Sequence, residues 1–184
     1  MAPIATIASR TSSLTVALFD ASTASDWVPS KAAANKAQFT GHPAEILRGL
    51  AKGEDIAAID VGASSGVAFE LEGKSGRIEV YRVDDSTIAL VAPPRSWWQQ
   101  PAAEVDALFA EALAPDEGDE TDLEVPSGKL AIVYMWLDDV GAAVSGKSDG
   151  CAVIEVGAGT HRLHKREIES PWDQPLVVMY IARA

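Results

Sequence analysis

IAAIDVGASSGVAFELEGKSGRIEVYRVDDSTIALVA, residues 56–92, is the stretch of sequence that decides the fold. Four short apolar runs in it alternate with breaks rich in Gly, Ser and Asp. Such residues tolerate unusual φ angles or bond their own backbone, which favours tight turns between antiparallel strands. No helix-length connection separates the runs, so a doubly wound parallel sheet is disfavoured. Strands are predicted at 56–61, 66–71, 77–83 and 87–92.

A second strand-rich block lies towards the C-terminus. Its turn Gly157-Ala158-Gly159 predicts a hairpin between the second and third of its strands. A further apolar run, Leu14 to Phe19, predicts a strand that is buried on both faces. The strands of the second block are predicted at 130–137, 151–156, 160–168 and 176–182. The sequence therefore predicts an α+β protein that is predominantly antiparallel β.

Two or three short helices complete this prediction. The clearest helix spans 101–113, where Pro101 occupies the start and apolar residues recur at helical spacing. A second helix begins near Pro43 and ends at Gly53, a residue typical of helix ends. A third, alanine-rich helix is predicted at 31–39.

The domain organisation follows from the order of these elements. Residues 1–12 are small and polar without a period, which predicts a disordered tail, and 13–184 form a single globular domain. The globular part could contain two related β-lobes. The first lobe would span 13–95 and the second 128–184, and they would be joined by the helix at 101–113 and an acidic loop at 115–126.

The two strand-rich blocks resemble each other in outline. Each opens with an apolar strand that ends at acidic residues, Asp20 in one block and Asp138-Asp139 in the other. The phrases IDVGA at 59–63 and IEVGA at 154–158 also match. An internal duplication would explain these similarities and would place a binding cleft between the lobes. Chance recurrence in an alanine- and glycine-rich chain is the alternative, and the sequence alone favours it.

Charge limits the classes of partner. The chain has 184 residues and a net charge of -12, and many of its acids crowd residues 116–124. Nucleic acids and anionic membranes are disfavoured as partners, because both are bound through Lys and Arg. A basic protein remains a possible partner, since complementary charge accelerates association. The acidity could also serve solubility alone.

Cysteine content and hydropathy indicate the compartment. Cys151 is the single cysteine, so an intramolecular disulfide is impossible, and a small buried hydrophobe is the favoured interpretation of its side chain. A catalytic thiol would need an activating base nearby. No apolar run reaches the length of a membrane span, and the run at 14–19 ends at Asp20 and resembles a strand more than a signal peptide. We expect a cytoplasmic protein.

The sequence HRLHKR at 161–166 is the main concentration of basic residues. Strand alternation places Arg162, His164 and Arg166 on one face and the other three residues on the opposite face. The exposed face could bind an anion or an acidic partner. The favoured alternative is a charged edge strand that resists aggregation. Because His161 and His164 point to opposite faces and no third ligand completes a set, no metal site is predicted.

Two dipeptides are further candidates for binding. Trp97-Trp98 precedes the clearest helix, where tryptophans either anchor an interface or cover the core. Asp138-Asp139 follows a strong strand, where paired carboxylates can do acid–base work or bind a metal, although turn chemistry is commoner. Trp136 is predicted to lie in the core.

The functional prediction has two branches. Phosphate loops, dinucleotide-binding glycines, nucleophile elbows and zinc-binding helices are all absent from the sequence, and no catalytic residue or cofactor is predicted. The first hypothesis is a non-enzymatic protein-binding module, an acidic inhibitor or immunity-type protein that neutralises a basic partner. The alternative is a small-molecule-binding protein or enzyme with its site in a cleft between the lobes, assembled from the tryptophans, aspartates and histidines named above.

Overall fold

Antiparallel β-structure dominates the computed structural model, which confirms the predicted α+β class. The structure describes residues 2–8, 14–30, 39–53, 55–71, 76–93, 99–114, 120–146, 148–172 and 175–184. The strands in these ranges are β1 (Ala5–Ala8), β2 (Leu14–Asp20), β3 (Ile56–Val61), β4 (Ser64–Leu71), β5 (Arg77–Arg82), β6 (Thr87–Val91), β7 (Glu120–Val125), β8 (Lys129–Tyr134), β9 (Cys151–Glu155), β10 (Gly159–Ile168) and β11 (Leu176–Arg183). The helices are a 3-10 helix (Ala21–Asp26), α1 (Gly41–Leu50), α2 (Ala102–Ala112) and α3 (Val140–Ser145).

The strands form two sheets. The first has the order β1-β5-β6-β11-β10-β7 and the second has the order β3-β4-β2-β8-β9. Hairpins join β3 to β4 and β5 to β6, as the turn residues predict, and a further hairpin joins β10 to β11. The predicted hairpins from β4 to β5 and from β9 to β10 are wrong, because in both places the chain passes from one sheet to the other. Alternating hydrophobicity identifies a strand but does not identify its partner.

If β3 is left aside, the strand order of each sheet is symmetric about the centre of that sheet. In the first sheet, β1, β5 and β6 occupy positions that mirror those of β7, β10 and β11. In the second sheet, β4 and β2 mirror β9 and β8, with β3 added at one edge. A duplicated segment whose two copies pair with each other at the centre of each sheet would produce this strand order. The internal duplication therefore stays a prediction, which the strand order supports. The matching phrases lie in β3 and β9, which are not counterparts in this symmetry.

The chain divides into two compact units. Unit 1 comprises Met1–Leu14, Leu71–Asp122 and His161–Ala184. Unit 2 comprises Thr15–Glu70 and Leu123–Thr160. Each unit therefore takes strands from both halves of the chain, and neither coincides with a lobe predicted at 13–95 or 128–184. Consecutive sequence blocks fail as lobes because neighbouring strands along the chain pair in different sheets.

Two segments predicted to lack regular structure contain strands. Ala5–Ala8 forms β1, which pairs with β5 and buries Ile7, so the prediction of a disordered tail is wrong for these residues. Glu120–Val125 forms β7, where Leu123 and Val125 are buried between outward-facing acids, so the predicted acidic loop is wrong there. In both cases apolar side chains that reach a core outweigh a polar local composition. Residues 115–119 and the predicted helical residues 31–38 lie outside the described residues.

In unit 1, α2 confirms the clearest helix of the sequence and packs on one face of the first sheet. Its Phe109 ring contacts Tyr81 at a centroid distance of 5.8 Å. The Tyr180 hydroxyl donates to the carbonyls of Ala112 and Ala114, and the Arg166 guanidinium donates to the Glu111 carbonyl at 3.4 Å. These bonds satisfy carbonyls that a helix C-terminus leaves without partners.

In unit 2, the second sheet packs against α1, the 3-10 helix and α3. Phe19 of β2, Ile46 of α1 and Val140 of α3 are buried in one apolar cluster. Burial of this apolar surface stabilises the unit and holds the loop residues that surround it in defined positions. The exposed residues described next lie on that support.

Candidate functional site

The predicted site residues divide between the two units, and two of them are not described. Trp97 and Trp98 lie outside the described residues. Asp138 and Asp139 belong to unit 2, whereas His161, Arg162 and His164 belong to unit 1. Neither unit by itself contains both groups.

The basic strand β10 lies inside its sheet. It has β11 on one side and β7 on the other, which corrects the favoured interpretation of a charged edge strand. The predicted alternation is observed, since His161 and Leu163 are fully buried while Arg162 is exposed. The His164 ring stacks on Tyr180 across the β10–β11 pair at 6.0 Å. These histidines therefore contribute to different faces of the sheet.

Acidic residues of the same unit neutralise Arg162 and Arg166 of β10, of which Arg162 is exposed and Arg166 is partly buried. Arg162 forms an ion pair with Glu120 of β7 at 3.3 Å. Arg166 approaches the Glu111 carboxylate of α2 at 3.9 Å and donates to a carbonyl at the end of that helix. A cation at a helix C-terminus complements the helix dipole. This pairing reduces the capacity of the strand to attract an external anion.

Three polar side chains interact along β5 in unit 1, of which Glu79 and Tyr81 are buried and Arg77 is not. The Tyr81 hydroxyl donates to the Glu79 carboxylate at 2.5 Å, and Arg77 pairs with the same carboxylate at 2.7 Å. Burial and the bond to Glu79 raise the pKa of Tyr81 far above its ordinary value, so the phenol stays protonated. The arrangement holds the buried Glu79 carboxylate between two donors from the same strand.

In unit 2, Asp139 is the N-cap residue of α3. Its carboxylate accepts from the Ala142 N–H at 2.9 Å, which is the usual N-cap bond. Asp138 is exposed and forms no hydrogen bond or ion pair with any residue of the described ranges. The two neighbouring carboxylates therefore differ in role, and only that of Asp138 is wholly available to a partner.

Two residues before Asp138, the partly buried Trp136 forms an aromatic pair with the exposed Phe39. Phe39 is 51 % exposed, and its ring lies 4.9 Å from the Trp136 ring at 60°. Trp136 lies in the turn after β8, and its partly buried ring packs against the apolar cluster of unit 2, so the prediction that it is a core residue is confirmed only in part. The strand ends at Tyr134, which leaves the indole at the rim of the core. We call Phe39, Trp136, Asp138 and Asp139 the aromatic–acidic face.

The support beneath this face is a stack of rings. Trp27 stacks on Phe19 at 5.6 Å, and its ring contacts the His42 ring at 4.9 Å with a tilt of 31°. The His42 Nδ1 accepts from the Val28 N–H at 2.7 Å, and Nε2 donates to the Asp60 carbonyl at 2.8 Å. These two bonds assign the neutral imidazole with its proton on Nε2. His42 thus connects α1 to β3 and to the segment after the 3-10 helix.

The single cysteine lies in the core of unit 2. Cys151 is 8 % exposed and packs in the apolar cluster that contains Ala131 and Val133. Burial raises the pKa of the Cys151 thiol to about 11. Because only the thiolate is a nucleophile, this environment suppresses reactivity.

We expect iodoacetamide to alkylate native Cys151 slowly. The rise of the pKa from 9.0 to about 11 lowers the thiolate fraction near neutral pH, by roughly a hundredfold. Mass spectrometry of timed samples would measure the rate in buffer and in concentrated urea, with free glutathione as the reference thiol. Equal rates in the native and unfolded chains would contradict the burial of this thiol.

Within the described ranges no group of three or more His, Cys, Asp or Glu side chains is placed to hold a metal ion. No helix among the same residues is long and apolar enough to cross a bilayer. No family model, no curated protein and no solved structure matches the chain.

Proposed function

We propose that the chain is a non-enzymatic protein-binding module, of the acidic inhibitor or immunity type, that neutralises a basic protein. The observation that carries the proposal is the aromatic–acidic face of unit 2. There the half-exposed Phe39 contacts Trp136, and the exposed Asp138 and Asp139 follow within three residues of the indole. Protein interfaces are typically built from aromatic anchors surrounded by polar residues.

Charge favours a basic partner over an acidic one. The net charge of the chain is -12, and Arg162 and Arg166 are ion-paired within unit 1. A field of one sign accelerates encounter with a partner of the opposite sign and discriminates against like-charged proteins. The aromatic rings then supply the short-range apolar contact that charge alone lacks.

Affinity capture from an extract of the native host tests the proposal. The tagged chain is compared with Phe39→Ala and with Ile4→Ala, a matched control because Ile4 is also an exposed apolar residue (46 %) but lies in unit 1. We expect the unmodified chain and Ile4→Ala to retain one basic protein that Phe39→Ala loses. With that protein purified, Phe39→Ala should weaken binding about tenfold, and added salt should weaken it further.

Two results would overturn the proposal. One is that Phe39→Ala retains the same proteins as the unmodified chain while circular dichroism and urea midpoints show equal folding. The other is that no basic protein is retained at physiological salt. Either result would remove the aromatic–acidic face as a binding surface for a basic protein.

A further inference from the structure

We infer that the aromatic–acidic face binds an arginine side chain of its basic partner in preference to a lysine. This inference rests on the proposed function and adds the chemistry of the contact. Its first element is the ring pair. Phe39 and Trp136 meet at 60° rather than stacking flat, and both are at least partly exposed. A tilted pair leaves ring surface open to solvent, and the face of an indole attracts cations.

The second element is an exposed carboxylate close to the same ring along the chain. Asp138 lies two residues after Trp136, a separation that the backbone spans in at most about 7 Å. The Asp138 side chain is exposed and has no partner among the residues that the structure describes, whereas Asp139 is engaged at the start of α3. A cation over the indole can therefore meet an available carboxylate without displacing an internal bond.

The third element is the difference between the two basic side chains. A guanidinium is planar and weakly hydrated, so it can stack on an aromatic ring while its edge donates two bonds to one carboxylate. An ammonium is a compact, strongly hydrated charge that cannot do both in the same way. An aromatic ring followed closely by a free carboxylate thus fits arginine better than lysine.

Two short peptides test this inference on the full chain. The probes are acetyl-GRGRGRG-amide and acetyl-GKGKGKG-amide, which carry equal charge and differ only in the basic side chain. Titration followed by two-dimensional NMR would give both dissociation constants. We expect the arginine peptide to bind roughly fivefold more tightly than the lysine peptide, the difference that stacking and a bidentate contact supply.

Matched variants locate the binding site. Asp138→Asn and Phe39→Ala should reduce the affinity for the arginine peptide to the level of the lysine peptide. Asp122→Asn, which removes an exposed acid of β7 in unit 1, and Ile4→Ala should leave the preference unchanged. Urea unfolding midpoints confirm that each variant is folded.

The outcomes separate this inference from the proposed function. Equal affinity for the two peptides, or no binding of the arginine peptide at millimolar concentration, would overturn the arginine inference. Capture of a basic protein that depends on Phe39 would still support the proposed function in that case. If the arginine preference survives in both Asp138→Asn and Phe39→Ala, the arginine is bound elsewhere and the inference fails.

Discussion

Replacing Asp20 with Asn is expected to lower the free energy of unfolding at neutral pH by about 2–3 kcal/mol. Asp20 is fully buried at the end of β2. Its carboxylate accepts from the Ser22 N–H at 2.8 Å, from the Ser22 hydroxyl at 2.5 Å and from the Ser127 N–H at 2.7 Å. An Asn side chain would satisfy the Ser22 donors but would turn its NH2 group towards the Ser127 N–H. Two donors would then face each other in a buried place.

The contribution of Asp20 should disappear in acid. Burial acts to raise the pKa of this carboxyl, but the bonds from Ser22 and Ser127 outweigh burial and hold the pKa below the ordinary value of 3.8. A group with a lowered folded-state pKa stabilises the protein above the pKa of the unfolded chain. That stability is lost as the pH falls from the unfolded-state value through the folded-state value. Urea unfolding at a series of pH values should therefore show the unmodified chain and Asp20→Asn converging in acid.

Asp84 provides the matched control for this experiment. It accepts from the Ser86 N–H at 2.7 Å and from the Ser86 hydroxyl at 2.9 Å, so it repeats the local bonds of Asp20 in an exposed turn. It is also hydrogen-bonded by Thr87 in the same turn, but it lacks the long-range bond and the burial of Asp20. Asp84→Asn should therefore destabilise the chain far less than Asp20→Asn. Equal effects of the two substitutions would show that burial and the Ser127 bond contribute nothing.

Sequence reasoning identified the strands better than it identified their partners. Apolar alternation located β3, β5 and β6 to within one residue at most of their ends, because pleated strands impose a period of two. The same period does not indicate which sheet a strand joins. The crossings from β4 to β5 and from β9 to β10 were therefore predicted as hairpins. Composition also misled at β1 and β7, where a few buried apolar residues decide the structure.

The candidate site shows the same limit. Asp138 could be named from sequence because acids after a strand are a local pattern. The contact between Phe39 and Trp136 could not, since one residue precedes α1 and the other follows β8. Tertiary structure brings them together, and the end of β8 at Tyr134 places Trp136 at the edge of the core. The strand predicted at 130–137 includes Trp136, so the sequence carried no signal of its partial exposure.

Gly41→Ala is expected to destabilise unit 2 by about 3 kcal/mol, the sum of backbone strain and overpacking. Gly41 begins α1 with φ at 70°, a left-handed conformation that residues with a Cβ atom adopt at a cost. A Cβ atom at this position would also collide with the backbone carbonyl of Val28 and would lie 2.7 Å from that of Pro29. Backbone atoms cannot move aside as the end of a flexible side chain can. Urea unfolding would measure the loss.

Gly53 separates the two causes of this destabilisation. It has φ at 83°, but no atom lies within 4 Å of the place where a Cβ would stand. Gly53→Ala should therefore show backbone strain alone and a smaller loss than Gly41→Ala. The collision at Gly41 would also displace Val28, whose N–H donates to His42. Phe39 lies only two residues before Gly41, so a shift of the backbone there would move the Phe39 ring as well. Gly41→Ala should consequently weaken binding at the aromatic–acidic face, whereas Gly53→Ala should preserve it. Equal losses of unfolding free energy in the two variants would show that the collision at Gly41 contributes nothing.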